Sequence, residues 1–157
     1  MRGAFTVQPF GNILQTLSLT GAQIDVMLEQ QFCGVNSPFA PMPGFFKVLL
    51  PSAGFAYTWD GAVANAPANA ICATDPALGA VNPASVTLNG VDLDLNTTYR
   101  VTVNNFLADG GDGFFVLRDG TDRVGGLEDL QAFEAYLAAG EPTGISPPAL
   151  DRITRIN

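Results

Sequence analysis

The residues most able to do chemistry lie in one stretch, residues 104–115, which reads NNFLADGGDGFF. The carboxylates of Asp109 and Asp112 can accept hydrogen bonds from hydroxyl groups or bind a hard cation. Phe106 offers a flat aromatic face close to them in sequence. An aromatic ring beside a carboxylate suits a ligand that has both a π-system and vicinal hydroxyls, as a nucleoside has.

Glycines make this stretch a loop that a ligand could approach closely. Gly110, Gly111 and Gly113 are expected to reach positive φ and to open the backbone to a ligand. A plain structural interpretation stays open, in which both aspartates form turns and Phe106 belongs to the core. Calcium is disfavoured, because DGGDG lacks the D-x-D-x-D-G spacing and the distal glutamate of an EF-hand.

Length and charge restrict the class of protein. The chain has 157 residues, 47% of them hydrophobic and 14% charged, which is typical of one ordered globular domain. A net charge of −8 argues against nucleic-acid backbones and anionic membranes as binding surfaces. No apolar run is long enough to span a membrane.

The chain contains no histidine, so it lacks the usual catalytic base and the commonest transition-metal ligand. Its two cysteines, Cys33 and Cys72, form either one disulfide or two buried thiols. Zinc is disfavoured with only two thiols. We therefore expect no catalytic residue, no metal and no cofactor in this chain.

The periodicity of the remaining sequence predicts the elements that position residues 104–115. Thr20 and Gln23 form a capping-box pattern that predicts a helix ending near Cys33, and a second helix is predicted over residues 127–139. Asn89-Gly90 predicts a hairpin. Loops are predicted over residues 35–44 and 61–83, and a polar turn over residues 119–126. Strands are predicted over residues 13–19, 45–50, 54–59, 85–88, 91–93 and 99–105, with a short last strand at Ile153 and Ile156. The pattern indicates a single α+β domain, residues 1–157, with a mixed β-sheet packed by a few helices.

Several separated motifs resemble, in their order along the chain, the C-terminal domain of the 5′-nucleotidase family. Members of this family are secreted or periplasmic two-domain metallophosphoesterases. The similarity spans nearly the whole chain, and several ordered motifs are more specific than any one of them. The motifs are FTVQPFGNILQTLSLTG, LEQQF, GFAYTWD, VTLNGVDLD, TYRVTVNNF and NNFLADGGDGF.

The resemblance implies a role for four residues. Phe10 and Phe106 match the two phenylalanines that sandwich the nucleobase in the family. Asn12 matches the residue that hydrogen-bonds the edge of the base, and Asp112 matches the carboxylate that accepts hydrogen bonds from the ribose hydroxyls. Asp109 is interpreted as a turn residue.

The resemblance also implies a larger parent enzyme. Its N-terminal metallophosphoesterase domain, a partner absent from this sequence, would hold two divalent metal ions and hydrolyse the phosphate ester. This domain would bind the nucleotide or nucleoside and be inactive alone. Export of the family favours the disulfide and a secreted, periplasmic or cell-wall location, with the export signal upstream. The alternative is a non-catalytic secreted binding or assembly module on the same scaffold.

Overall fold

The computed structural model describes residues 2–42 and 44–157. The loop predicted over residues 35–44 therefore includes one residue, Pro43, that lies outside the described part, as Met1 does. The helices are α1 (Arg2–Val7), α2 (Gly21–Glu29), α3 (Gly61–Ala64), α4 (Asn105–Ala108) and α5 (Asp129–Ala139). The strands are β1 (Ile13–Thr20), β2 (Phe55–Asp60), β3 (Thr87–Leu88), β4 (Val91–Asp92), β5 (Thr98–Asn104), β6 (Thr121–Glu128) and β7 (Ile153–Ile156).

The strands form two sheets. One has three strands in the order β5-β1-β6, with β1 antiparallel to both neighbours. The other has four strands in the order β4-β3-β2-β7, where β7 runs parallel to β2 and the remaining pairs are antiparallel. The prediction of an α+β domain with mixed β-structure and a few helices is confirmed, with two sheets in place of one.

The start of α2 is determined by its local sequence. The Thr20 hydroxyl accepts a hydrogen bond from the backbone N–H of Gln23, and the Gln23 side chain accepts one from the backbone N–H of Thr20. This reciprocal pair satisfies two N–H groups that the first helical turn leaves free. The predicted capping box is confirmed, and it places the helix directly after β1.

One hydrophobic core joins the two sheets and α2. The ring of Phe32, just after α2, stacks on Trp59 of β2 at a centroid distance of 4.4 Å. Phe46 meets both rings edge-on. The core includes Leu17, Leu19, Ile24, Met27, Leu28, Phe32, Tyr57, Val81, Val86, Phe114 and Leu117.

The predicted surface excursion over residues 61–83 is tied to the end of α2. Cys33 and Cys72 form a disulfide, so the bridge expected from the family's export is confirmed. The buried carboxylate of Glu29 accepts hydrogen bonds from the backbone N–H groups of Ala80 and Val81. Asn69 also donates to the Phe32 carbonyl. These contacts hold a segment with little regular structure against the core.

The prediction of a strand over residues 45–50 is wrong. The backbone N–H of Lys47 donates to the Gln31 carbonyl, and that of Leu49 donates to the Gln31 side-chain oxygen. Because one buried glutamine takes both donors, this segment is extended without belonging to a sheet. Alternating hydrophobic residues cannot reveal that kind of partner.

Residues 119–126, predicted as a polar turn, mostly form β6. This strand pairs with β1 through a register that shifts twice, and nearly all its side chains are exposed. Glycines and exposed polar residues hide the alternation by which a strand is predicted. The N-terminal segment also contains a helix, α1, that the sequence did not predict.

The other main elements are confirmed. These are the strands predicted at residues 13–19, 54–59 and 99–105, the last strand, and the second long helix, α5. Asn89 and Gly90 both have positive φ, 54° and 76°, as a type I′ hairpin requires. Within residues 2–42 and 44–157, no helix combines the length and the apolar character needed to cross a lipid bilayer.

Candidate functional site

Strand pairing brings the segments that carry Phe10 and Phe106 to one end of the three-stranded sheet. Phe10 lies just before β1, and Phe106 lies just after β5. Because β1 and β5 are antiparallel, the start of one lies beside the end of the other. The backbone N–H of Ile13 donates to the Asn105 side-chain oxygen at 2.8 Å, which links the two segments directly.

The backbone around Phe10 is held while its ring is exposed. The Gln8 amide donates to the Asp129 carboxylate at 2.6 Å, and the Asp129 backbone N–H donates to the Asn12 carbonyl at 2.8 Å. Gly11 has φ +62°, a conformation that glycine adopts without strain. The Phe10 side chain is 73% exposed. A ring presented on a fixed backbone is available for a ligand at a low entropic cost.

The Asn12 side chain is half-buried and forms no hydrogen bond with another described residue. Its backbone carbonyl is fixed by α5, so the position of the residue does not depend on its amide. The amide can therefore both donate and accept hydrogen bonds toward the edge of a base.

Phe106 is half-exposed at 50%, in the short helix α4. The Asn104 side chain caps this helix by accepting a hydrogen bond from Leu107 N–H at 2.8 Å. The Phe106 ring lies against Gly111, where an added Cβ would come within 2.5 Å of Cε1. The prediction of positive φ is wrong for Gly111, whose lack of a side chain instead makes room for the ring. It is confirmed for Gly110 and Gly113, which both have φ 83°.

Asp112, the residue after Gly111, has a positive φ of 52°. Its carbonyl accepts a hydrogen bond from the Asn36 side-chain amide at 2.7 Å. Its carboxylate lies 3.5 Å from the ammonium group of Lys47. Asn36 and Lys47 were not predicted from the sequence, because their contacts with Asp112 depend on tertiary structure. The one available signal was that Lys47 is the only lysine in the chain.

Asp109 pairs with Arg123, whose guanidinium lies 3.0 Å from the carboxylate. The same arginine donates to the carbonyls of Ala108 and Leu117, and Arg118 donates to the Asp109 carbonyl. These bonds close the loop after α4. The geometry agrees with the interpretation of Asp109 as a turn residue.

No three His, Cys, Asp or Glu side chains in the described part of the chain lie together so as to hold a metal ion. The aspartates near Phe106 instead pair with Arg123 and Lys47. This donor set does not fit a divalent cation.

The sequence model of the 5′-nucleotidase C-terminal domain matches residues 1–119. The chain belongs to this family. The family assignment made from the ordered motifs is thereby confirmed, as is the fold that it implied.

Individual relatives of this 5′-nucleotidase C-terminal domain support the same family assignment. Cell wall protein Lmo0130 of Listeria monocytogenes is 32% identical over 90% of the chain and 15% of the relative. The trifunctional nucleotide phosphoesterase protein YfkN of Bacillus subtilis is 34% identical over 72% of the chain and 7% of the relative. The crystal structure of a 5′-nucleotidase precursor from Thermus thermophilus superposes with a TM-score of 0.68 and 33% identity, over 98% of the chain and 27% of that protein.

The chain thus spans only between 7% and 27% of these relatives. It corresponds to the C-terminal domain of 5′-nucleotidase-type proteins. The extent of the domain through residue 157 stays a prediction, and so do the roles of Phe10, Asn12, Phe106 and Asp112 in binding a nucleoside.

Proposed function

We propose that this domain binds the nucleoside part of a nucleotide. The base stacks between Phe10 and Phe106, Asn12 hydrogen-bonds its edge, and Asp112 accepts hydrogen bonds from the ribose hydroxyls. The observation that carries this proposal is the pairing of β1 with β5, which brings to one end of a sheet the two segments that carry the exposed rings. Stacking on an aromatic ring contributes about 1–3 kcal/mol per base and tolerates different bases.

In the full-length protein, the domain would be the substrate-recognition half of an exported phosphohydrolase. Its own residues would hold the base and the ribose, and the phosphate would be left to the N-terminal domain. Two divalent metal ions in that domain would activate water and stabilise the in-line displacement at phosphorus. The disulfide between Cys33 and Cys72 supports an oxidising, extracytoplasmic location.

Adenosine binding to the 157-residue chain tests the recognition proposal. Ligand-observed NMR or calorimetry should detect weak binding, since half a site recovers only part of the affinity. Phe10→Ala and Phe106→Ala should each weaken binding by about tenfold. Tyr136→Ala is the matched control, because this ring is 59% exposed on α5 and lies outside the proposed site. Equal affinities for the parent chain and both phenylalanine variants would contradict the stacking.

A non-catalytic secreted module is the second candidate. It is favoured by the similarity to a relative described as a cell wall protein. The two candidates differ in the coding sequence upstream of this domain. An Asp-x-His start and an Asn-His-Glu block there, with further histidines, would support the phosphohydrolase. Upstream repeats without such residues would support the module.

A further inference from the structure

We propose that Asn36 and Lys47 are positioning residues for Asp112. Asn36 fixes the Asp112 backbone and Lys47 orients the Asp112 carboxylate, so that this carboxylate selects ligands with free ribose hydroxyls. The inference rests on the proposed function, because it concerns the ribose part of the same site. It adds two residues that neither the motifs nor the strand order connect with nucleoside binding.

The backbone contact is the first step. Asp112 has φ 52° and ψ 22°, a left-handed conformation that aspartate adopts more readily than most residues but does not prefer. The Asn36 side-chain amide donates to the Asp112 carbonyl at 2.7 Å and to the Gln30 carbonyl at 2.8 Å. Asn36 is only 3% exposed, so an unmade hydrogen bond there would be costly. The amide therefore ties the Asp112 turn to the end of α2.

The side-chain contact is the second step. The Lys47 ammonium lies 3.5 Å from one carboxylate oxygen of Asp112, and the two side chains are 46% and 42% exposed. The second oxygen and the remaining lone pairs are left for a ligand. The Lys47 backbone is anchored, because its N–H donates 3.0 Å to the carbonyl of the fully buried Gln31. Lys47 can thus orient the carboxylate without covering it.

The shape of the loop gives independent support. Gly113 has φ +83° and lies against Val35, so that an added Cβ would come within 2.4 Å of its Cγ2. Val35 and Asn36 follow Cys33, which the disulfide fixes to Cys72. The loop that carries Asp112 therefore packs against a covalently restrained segment. Preorganisation of this kind lowers the ordering cost of ligand binding.

Ligand discrimination tests the proposal in the 157-residue chain. Adenosine has both ribose hydroxyls, whereas 2′,3′-dideoxyadenosine has neither. Asn36→Ala and Lys47→Met should weaken adenosine binding by about three- to tenfold and leave dideoxyadenosine binding unchanged. Lys47→Arg should bind adenosine almost as tightly as the parent chain does, because it keeps the charge. Equal losses for both ligands, or no loss for adenosine, would overturn the proposal.

Asn69→Ala is the matched control for Asn36→Ala. Asn69 is also a buried asparagine, and its amide donates to a carbonyl at the end of α2, that of Phe32. This variant should lose stability while the ratio of the two affinities stays unchanged. A changed ratio in Asn69→Ala would show that the discrimination reports general loosening, which would also overturn the proposal.

An arm without ligand separates this inference from the proposed function. If the parent chain binds neither nucleoside, the proposed function fails, and NMR of the free chain still decides the positioning. Lys47 is the only lysine, so its ammonium signal can be assigned without ambiguity. That signal should shift in Asp112→Asn, and the amide-to-Hα coupling of Asp112 should change in Asn36→Ala. Unchanged signals in both variants would overturn the positioning roles.

Discussion

The candidate site has two halves that are positioned in different ways. We define the aromatic half as Phe10, Asn12 and Phe106, and the carboxylate half as Asp112 with Asn36 and Lys47. Pairing of β1 with β5 places the aromatic half. The carboxylate half depends on one buried amide and one ion pair, between residues distant in sequence. The residues of the aromatic half should therefore keep their positions as long as β1 and β5 stay paired. The carboxylate half should lose its position when the loop segment that holds it opens.

The region behind the carboxylate half also contains the groups that are expected to respond to redox state and pH. The disulfide lies next to Gly34, where Cys72 Sγ would be 3.3 Å from an added Cβ. Helix α2, which leads into this region, contains two buried carboxyl groups. Burial raises the pKa of Asp25 to about 6 and that of Glu29 to about 7. A structural change caused by reduction or by titration in this region should therefore displace Asp112 more readily than it displaces the paired strands.

The largest expected effect is the loss of the disulfide. The bridge closes a sequence separation of 39 residues, so Cys33→Ser/Cys72→Ser should lower the free energy of unfolding. The expected loss is about 3–4 kcal/mol, because the unfolded chain is no longer constrained. Urea unfolding of the oxidised parent and of the double variant measures this difference.

Hydrogen exchange in the same double variant tests the comparison of the two halves. Amides near Asn36 and Gly113 should exchange faster through local opening, while those of β1 and β5 should open only with global unfolding. A reductant added to the parent chain should reproduce both results. If amides in both regions of the double variant opened with the same free energy, the claim that the two halves are positioned in different ways would be wrong.

The second effect concerns pH. The pKa of Asp25 is raised from 3.8 to about 6 by burial, and its Oδ1 has no hydrogen-bond partner among the described residues. The folded state therefore binds this proton more tightly than the unfolded state does. The contribution of Asp25 to stability should be complete below about pH 4 and be lost as pH rises to about 6. Asp25→Asn should remove that part of the fall and gain about 1–3 kcal/mol at pH 8.

Unfolding free energies measured from pH 4 to pH 8 check this prediction. A smaller fall toward pH 7 should remain in Asp25→Asn, because burial also raises the pKa of Glu29. Asp92→Asn is the control for the Asp-to-Asn exchange itself, since Asp92 is exposed in the hairpin. A parent chain that becomes more stable between pH 4 and pH 6 would contradict the assigned direction.

The strands that position the aromatic half could be predicted from the sequence, because local patterns determine them. Alternation in residues 99–105 predicts β5, and the capping box at Thr20 fixes where β1 ends. The ordered family motifs then make Phe10 and Phe106 candidates for base stacking, a role that stays a prediction. Features that depend only on local pattern and motif order can be predicted without coordinates.

The carboxylate half could be predicted only in part, because its contacts are long-range. The motif GGDG makes Asp112 a candidate, but nothing local indicates that Asn36 reaches its carbonyl. The strand wrongly predicted at residues 45–50 has the same cause, since Gln31 takes two of its N–H groups. A side chain that replaces a neighbouring strand as hydrogen-bond partner leaves no periodic signal.

The smallest effect tests the contact between the two halves. Gly111 lies in the loop that carries Asp112, and its missing side chain leaves room for the Phe106 ring. Gly111→Ala places a Cβ within 2.5 Å of that ring and 2.6 Å from the Phe106 carbonyl oxygen, so Phe106 must move in both ring and backbone. Displacement of one stacking surface should weaken nucleoside binding by about 1 kcal/mol. Adenosine and 2′,3′-dideoxyadenosine should be affected equally, because the change acts on base stacking.

Gly125→Ala provides the matched control, because a Cβ at this position meets no atom within 4 Å. It should leave both affinities unchanged. The pattern for Gly111→Ala then differs from that for Asn36→Ala, which should weaken adenosine alone. If Gly111→Ala instead weakened adenosine and spared dideoxyadenosine, the glycine would act through Asp112. The division into an aromatic half and a carboxylate half would then be wrong at this contact.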